Sequence, residues 1–95
     1  MIVADSGPLI AFFEIGRLDL LQQGVGTLII PDAVYEEIVT GKQEQSRAAE
    51  MGQNPWIQRK AIVNREALAL FSSQLHAGER EAIILAQELR RTTPH

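Results

Sequence analysis

The chain lacks cysteine, and this absence excludes disulfide bonds, zinc-thiolate sites and thiol catalysis. It also lacks an excess of positive charge, since a formal net charge of -3 argues against nucleic-acid binding through overall charge. No apolar run is long enough to cross a bilayer, and no basic, apolar leader follows Met1. Together these absences predict a cytoplasmic protein.

The length and composition fit one soluble domain spanning residues 1–95. Of the 95 residues, 45% are hydrophobic and 22% are charged, which allows one core but not two. There is no glycine-rich phosphate loop and there are no paired acids after the first apolar run. Small nucleotide-binding and receiver-like domains are therefore disfavoured.

The opening residues combine a short apolar run, a carboxylate and a helix start. Ile2 and Val3 suit a buried strand, Pro8 has a backbone preset for a first helical turn, and Ser6 can cap that turn. We therefore expect Asp5 at the carboxyl end of the first strand. Open α/β sheets bind their ligands at this edge.

The rest of the chain alternates helices and strands. The pattern predicts helices over 9–15, 17–23 and 32–39, a loosely held helix or lid over 42–53, and a helix that Asn64 caps and that runs to about residue 75. Strands are predicted over 27–30 and 56–63. The helix over 9–15 is apolar on all sides and should be buried, with Gly16 at its end, and Gly41 should end the helix over 32–39. This order predicts a mainly parallel sheet with helices on both faces.

A last helix is predicted from Gly78 onwards, and it carries an apolar stripe at helical spacing. Glu79 extends this stripe into the first turn and is expected to point inward, whereas Glu81 is expected to face water or the rim. The stripe consists of Ala82, Ile83, Ala86 and Leu89.

Four motifs together resemble the PIN-domain ribonucleases, many of which are toxins of toxin-antitoxin pairs. They are VADSGPLIA at 3–11, IGRLDLL at 15–21, IPDAVYEEI at 30–38 and LHAGEREAIILA at 75–86. The resemblance is to a branch whose third acid follows a glycine. It implies a three-layer sandwich with a mainly parallel central sheet flanked by helices, and a metal-dependent endoribonuclease that cleaves single-stranded RNA.

Carried over by position, the resemblance implies a site made of three acids. Asp5, Glu37 and Glu79 match the family's first three catalytic, metal-binding acids, and Ser6 matches its adjacent hydroxyl residue. Glu36 is a weaker alternative to Glu37. The implied cofactor is Mg²⁺ or Mn²⁺, and the implied partners are single-stranded RNA and an antitoxin protein.

Acids suit this chemistry because the metal ions that they bind make the net charge of the site positive. Clustered carboxylates alone would repel a phosphodiester, but bound Mg²⁺ or Mn²⁺ holds the phosphate, lowers the pKa of an attacking water and stabilises the leaving oxygen. Magnesium prefers oxygen ligands, which agrees with the absence of cysteine.

The chain departs from the family pattern at its end. The resemblance implies a further strand beside the first one, with a further acid, and the sequence stops at His95 before it. We therefore expect the first strand to be an exposed sheet edge and the chain to form a homo-oligomer through it. The alternative to an active ribonuclease is a truncated, non-catalytic PIN protein that binds a partner through this edge.

Several other residues have two interpretations. Any of the three acids, taken alone, could be an ordinary helix residue or a charge at a helix start. Arg47, Arg59 and Lys60 could contact phosphates or only be solvated. Trp56 is expected to be a packing residue, with stacking on a base as the alternative.

Overall fold

The structure is a computed structural model that describes residues 2–40, 44–71 and 74–92. Its elements, in chain order, are β1 (Ile2–Val3), α1 (Ser6–Ile15), α2 (Leu18–Val25), β2 (Leu28–Ile30), α3 (Asp32–Val39), α4 (Glu44–Gly52), β3 (Ile57–Arg59), a 3₁₀ helix (Arg65–Leu70) and α5 (Ala77–Thr92). None of the helices in these ranges is long and apolar enough to cross a membrane.

The three strands form one parallel sheet in the order β1-β2-β3. Ile2 pairs with Leu28 and Leu28 pairs with Ile57, so the strands are aligned at their starts. The prediction of a parallel sheet is confirmed. Since the strands run in one direction, their carboxyl ends lie at one edge of the sheet, and Asp5 lies at that edge.

Apolar side chains of β2 alternate between the two faces of the sheet and divide the core. Leu28 and Ile30 face a larger cluster that includes Leu9, Val34 and Ile38 from the helices α1 and α3. Ile29 points the other way, into a smaller cluster with Ile62, Ile84 and Leu85. The period-two alternation of a strand therefore produces a helix layer on each face, as a three-layer α/β sandwich requires.

The first helix is less buried than its composition predicts. Leu9 is its one fully buried residue, and Ile15 is 62% exposed. The reason is that α1 lies in an outer layer, where one side packs against α2 and α3. Its end agrees with the prediction, because Gly16 takes the left-handed conformation with φ of 69°.

The third strand and the helix after it are both shorter than predicted. Lys60 N–H donates to Ile30 O (2.9 Å), and β2 ends there, so residues 61–63 have no strand beside them. Asn64 does cap a helix, since its side chain accepts from Ala67 N–H, but the helix is a 3₁₀ helix with no fully buried residue. Without an apolar face to bury, a longer helix has little to stabilise it. Residues 41–43, at the expected helix end and lid, lie outside the described residues.

The last helix buries a different face from the one predicted. Its buried residues include Gly78, Glu81, Ile84 and Leu85, whereas Ile83 is 40% exposed. Glu81 is 6% exposed, and its Oε1 accepts from Ala33 N–H of α3 (3.1 Å). The expectation that Glu81 faces water is therefore wrong. The first turn of α3 has no capping side chain of its own, because Pro31 precedes it, and Glu81 supplies the acceptor.

Replacing Glu81 with Ala is expected to reduce the free energy of unfolding by about 1–3 kcal/mol, because the buried Ala33 N–H loses its acceptor. Urea denaturation followed by circular dichroism measures the change. Gln87→Ala, at an exposed position of the same helix, is the matched control and should leave stability nearly unchanged. Equal stability of the two variants would show that Glu81 does not act as a cap.

Candidate functional site

Asp5 lies at the junction between β1 and α1, where it caps the helix. Its Oδ1 accepts from Ser6 N–H at 2.7 Å, and its own backbone is extended (φ -82°, ψ 172°). An aspartate with these angles is a typical N-cap residue. The cap fixes the half-buried carboxylate at the carboxyl edge of the sheet, where the sequence predicted it.

Glu37, in the second turn of α3, connects two helix starts that are distant in sequence. The Ser6 hydroxyl donates to Glu37 Oε2 at 2.7 Å, and Gly78 N–H donates to Glu37 Oε1 at 3.0 Å. Ser6 is the first residue of α1, and Gly78 lies in the first turn of α5. Because Ser6 follows Asp5 and Gly78 precedes Glu79, the carboxylate of Glu37 contacts the immediate neighbours of both other acids.

Gly78 lets the Glu37 carboxylate approach the start of α5 closely. A Cβ atom at this position would lie 2.6 Å from Glu37 Oε1 and 3.0 Å from the carboxyl carbon. The absence of a side chain therefore lets the carboxylate reach the amides at the start of α5, where the helix dipole favours negative charge.

Asp5 and Glu79 face a common groove of about 440 Å³ between β1 and α5. The rest of its lining is apolar and consists of Val3, Ala82, Ile83 and Ala86. Of the stripe that the sequence predicts on α5, the first three residues line the groove, whereas Leu89 packs against the smaller core cluster. Glu79 shares the face of that stripe, as predicted.

The three acids are linked by hydrogen bonds through neighbouring residues: Glu37 binds Ser6, which follows Asp5, and Gly78, which precedes Glu79. Within residues 2–40, 44–71 and 74–92, no group of three or more acidic or histidine side chains is arranged to hold a metal ion. The donor set nevertheless suits Mg²⁺ or Mn²⁺, which prefer carboxylate and hydroxyl oxygens. Each Glu37 oxygen accepts one hydrogen bond and keeps a second lone pair, so the present contacts do not prevent coordination.

The alternative acid in α3, Glu36, is exposed, whereas Glu37 is half-buried.

Arg47 donates from Nη1 to Ile38 O at 3.1 Å and so binds the last turn of α3. The indole N–H of Trp56 donates to Asn54 Oδ1 at 3.1 Å, and its ring packs against the larger core cluster. Among the described contacts, these two side chains have structural partners.

The sequence pattern does not predict the roles of two residues in this structure. It predicts Gly78 only as a helix start, although a glycine directly before an acid can indicate a close approach. It places Glu81 at the surface, although Pro31 leaves the first amides of α3 without a side-chain cap and so indicates the need for an acceptor from elsewhere in the fold.

Gly78→Ala is expected to be less stable than Gly24→Ala by about 1 kcal/mol, because the new methyl group moves the flexible Glu37 carboxylate away from Gly78 N–H and removes that hydrogen bond. Thermal and urea unfolding measure the effect. Gly24→Ala is the control, since it lies inside α2 with no atom within 4 Å of the added methyl group, and it should be neutral or stabilise by up to about 1 kcal/mol. If both variants unfold alike, the close approach of Glu37 to Gly78 is wrong.

Comparison with known proteins agrees with the motifs. The model of a family described as PIN domain matches residues 1–93. No curated protein and no solved structure matches the chain. The matched range includes all four motifs and each of the residues that make up the site. The chain therefore belongs to the PIN-domain family.

Proposed function

We propose that this PIN domain is a metal-dependent endoribonuclease that cleaves single-stranded RNA. One observation carries the proposal: Glu37 of α3 contacts Ser6 and Gly78, which are the neighbours of Asp5 before α1 and of Glu79 in α5, so three distant parts of the chain bring one acid each to the same end of the molecule. Such convergence of acids from distant parts of the chain is typical of catalytic sites that bind metal ions.

In this proposal Asp5, Glu37 and Glu79 provide oxygen ligands to Mg²⁺ or Mn²⁺, and Ser6 assists through its hydroxyl. When bound, the metal neutralises the phosphodiester and activates the attacking water. Contacts within the chain fix these candidate ligands in position. Glu37 orients the Ser6 hydroxyl, and Asp5 is fixed by its cap.

The groove fits a flexible strand better than a duplex. Its apolar lining by Val3, Ala82, Ile83 and Ala86 offers surface for a ribose or an unpaired base beside the two acids. A single strand can turn its bases towards such a surface, whereas a duplex keeps its bases stacked inside. The groove therefore supports RNA without secondary structure as the substrate class.

The motif resemblance also suggests a cellular role and a protein partner. We propose that the chain acts in the cytoplasm as the toxin of a toxin-antitoxin pair, with an antitoxin protein as its partner. The support is the branch whose third acid follows a glycine, here Gly78 and Glu79.

The alternative is a non-catalytic module that associates with a second copy of itself through β1. In the described sheet β1 has one neighbouring strand, and Ile2 is 46% exposed. Ile2 N–H donates to Thr27 O and Ala4 N–H donates to Ile29 O, so the backbone of Val3 faces the opposite, open side. An antiparallel pair of β1 strands centred on Val3 would place each Ile2 opposite the other copy's Ala4 and keep the two Asp5 carboxylates apart.

Purified protein is expected to cleave an unstructured RNA with Mg²⁺ or Mn²⁺, and Asp5→Asn should slow cleavage roughly 100-fold or more, as removal of one electrostatic group in an active site does. Asparagine is also a good N-cap, so the variant should keep its fold. Asp19→Asn, at an exposed position, is the matched control and should cleave like the unchanged chain. Absence both of cleavage and of metal binding by calorimetry in the unchanged chain would refute the enzymatic proposal.

For the alternative, light scattering across micromolar concentrations should give a dimer for the unchanged chain and a monomer for Val3→Pro, which lacks the outward N–H donor. Circular dichroism checks that the variant stays folded. A monomer for the unchanged chain at all concentrations would contradict association through β1.

A further inference from the structure

Two exposed arginines form ion pairs with aspartates, but they do so in different ways. Arg17 uses both Nε and Nη2 to bind the two carboxylate oxygens of Asp19, each at 3.0 Å. Arg59 uses Nε alone, at 2.7 Å from Asp32 Oδ1, and its guanidinium carbon lies over the Tyr35 ring, 4.2 Å from the centroid. Asp32 therefore holds one edge of the Arg59 guanidinium, and Tyr35 covers one of its faces.

The rest of the Arg59 guanidinium remains accessible. Its Nη1 and Nη2 make no hydrogen bond within the described part of the chain, and 46% of its side-chain surface is exposed. A planar cation held on an aromatic ring in this way presents its second face to solvent as a flat surface. We call Arg59, Tyr35 and Asp32 the arginine platform.

The platform and the acids lie at the same end of the sheet, where the carboxyl ends of the strands are found. Arg59 ends β3, Asp32 follows β2, and Asp5 follows β1, and the strands are parallel and adjacent in that order. With neighbouring strands about 4.8 Å apart, the end of β3 lies roughly 10 Å from the end of β1. An RNA strand bound near Asp5 and Glu79 would reach the platform by passing over this end of the sheet, because Arg59 pairs with Ile30 and shares its face, whereas Val3 in the groove pairs with Ile29 and lies on the other face.

The local charge favours an uncharged group over an isolated phosphate. Asp32 neutralises Arg59: its hydrogen bond raises the pKa of the Arg59 guanidinium, and the negative charge of the exposed Glu36 acts in the same direction. Guanidinium planes commonly stack on unpaired bases of RNA, and such stacking tolerates any base because every base has a π face. Trp56 does not offer this surface, since its indole is bound to Asn54 and packs against the core.

We infer that the arginine platform stacks an unpaired nucleobase of the RNA strand, next to the nucleotide that is held at the acids. The inference rests on the proposed function and names a second contact of the same substrate. Tyr35, Arg59 and the base would form a stack of three planes, and Asp32 would keep the guanidinium from rotating. Arg59 is then a binding residue that needs its plane as well as its charge.

The test is RNA affinity, measured by fluorescence anisotropy on the Asp5→Asn background so that the RNA stays intact. Arg59→Lys keeps the charge and removes the plane, and we expect it to weaken binding roughly 5- to 100-fold, the range that follows from losing one base stack. Arg17→Lys is the matched control, because Arg17 also pairs with an aspartate, and it should leave affinity unchanged. Circular dichroism checks both folds.

A set of RNAs, each with one abasic nucleotide, separates stacking from phosphate binding. The effect of Arg59→Lys should disappear for the RNA that lacks the stacked base and persist for the others. Equal affinity of Arg59→Lys and its background for intact RNA overturns the inference alone, as does an effect that persists for every abasic RNA. If neither the unchanged chain nor the Asp5→Asn background binds RNA, the inference and the proposed function both fail.

Discussion

The carboxylate of Glu37 is the contact on which the arrangement of the site depends. It accepts from the hydroxyl at the start of α1 and from an amide in the first turn of α5, which are 31 and 41 residues away in sequence. Asp5 and Glu79 follow from this contact, because each is the direct neighbour of a residue that Glu37 binds. The geometry that sets the position of these acids also helps to hold three helices together.

Carboxylates perform two different tasks in this fold. Glu81 and Glu88 accept hydrogen bonds from backbone amides. Glu81 accepts from Ala33 N–H, and Glu88 accepts from the N–H groups of Val63 and Asn64. Both compensate for places where the chain lacks a cap or a strand partner. Asp5 also accepts a backbone N–H, yet it faces the groove together with Glu79. Position at the sheet edge, more than residue type, distinguishes the candidate ligands from the structural acids.

Local patterns in the sequence were enough to predict the parallel sheet, the C-terminal end of α1, the bounds of α3 and the placement of Asp5, but not the start of α1 at Ser6. They failed where the environment of a residue is set by distant elements. The apolar stripe on α5 has correct helical spacing, but whether it faces the core or a groove depends on where β1 lies. The burial of Glu81 depends on the missing cap of α3, and the strand over 56–63 stops early because β2 ends at Ile30. These are tertiary effects that a periodicity cannot reveal.

We propose that Asp5, Glu37 and Glu79 form one metal site. Paramagnetic broadening of backbone amide signals by Mn²⁺, added in substoichiometric amounts to the folded chain, locates the bound ion without requiring turnover. We expect strong broadening at Asp5, Ser6, Glu37, Gly78 and Glu79, with Asp19 and Glu88 as acidic positions that stay sharp. Broadening that spreads evenly over all acidic residues, or that spares the first group, would contradict it.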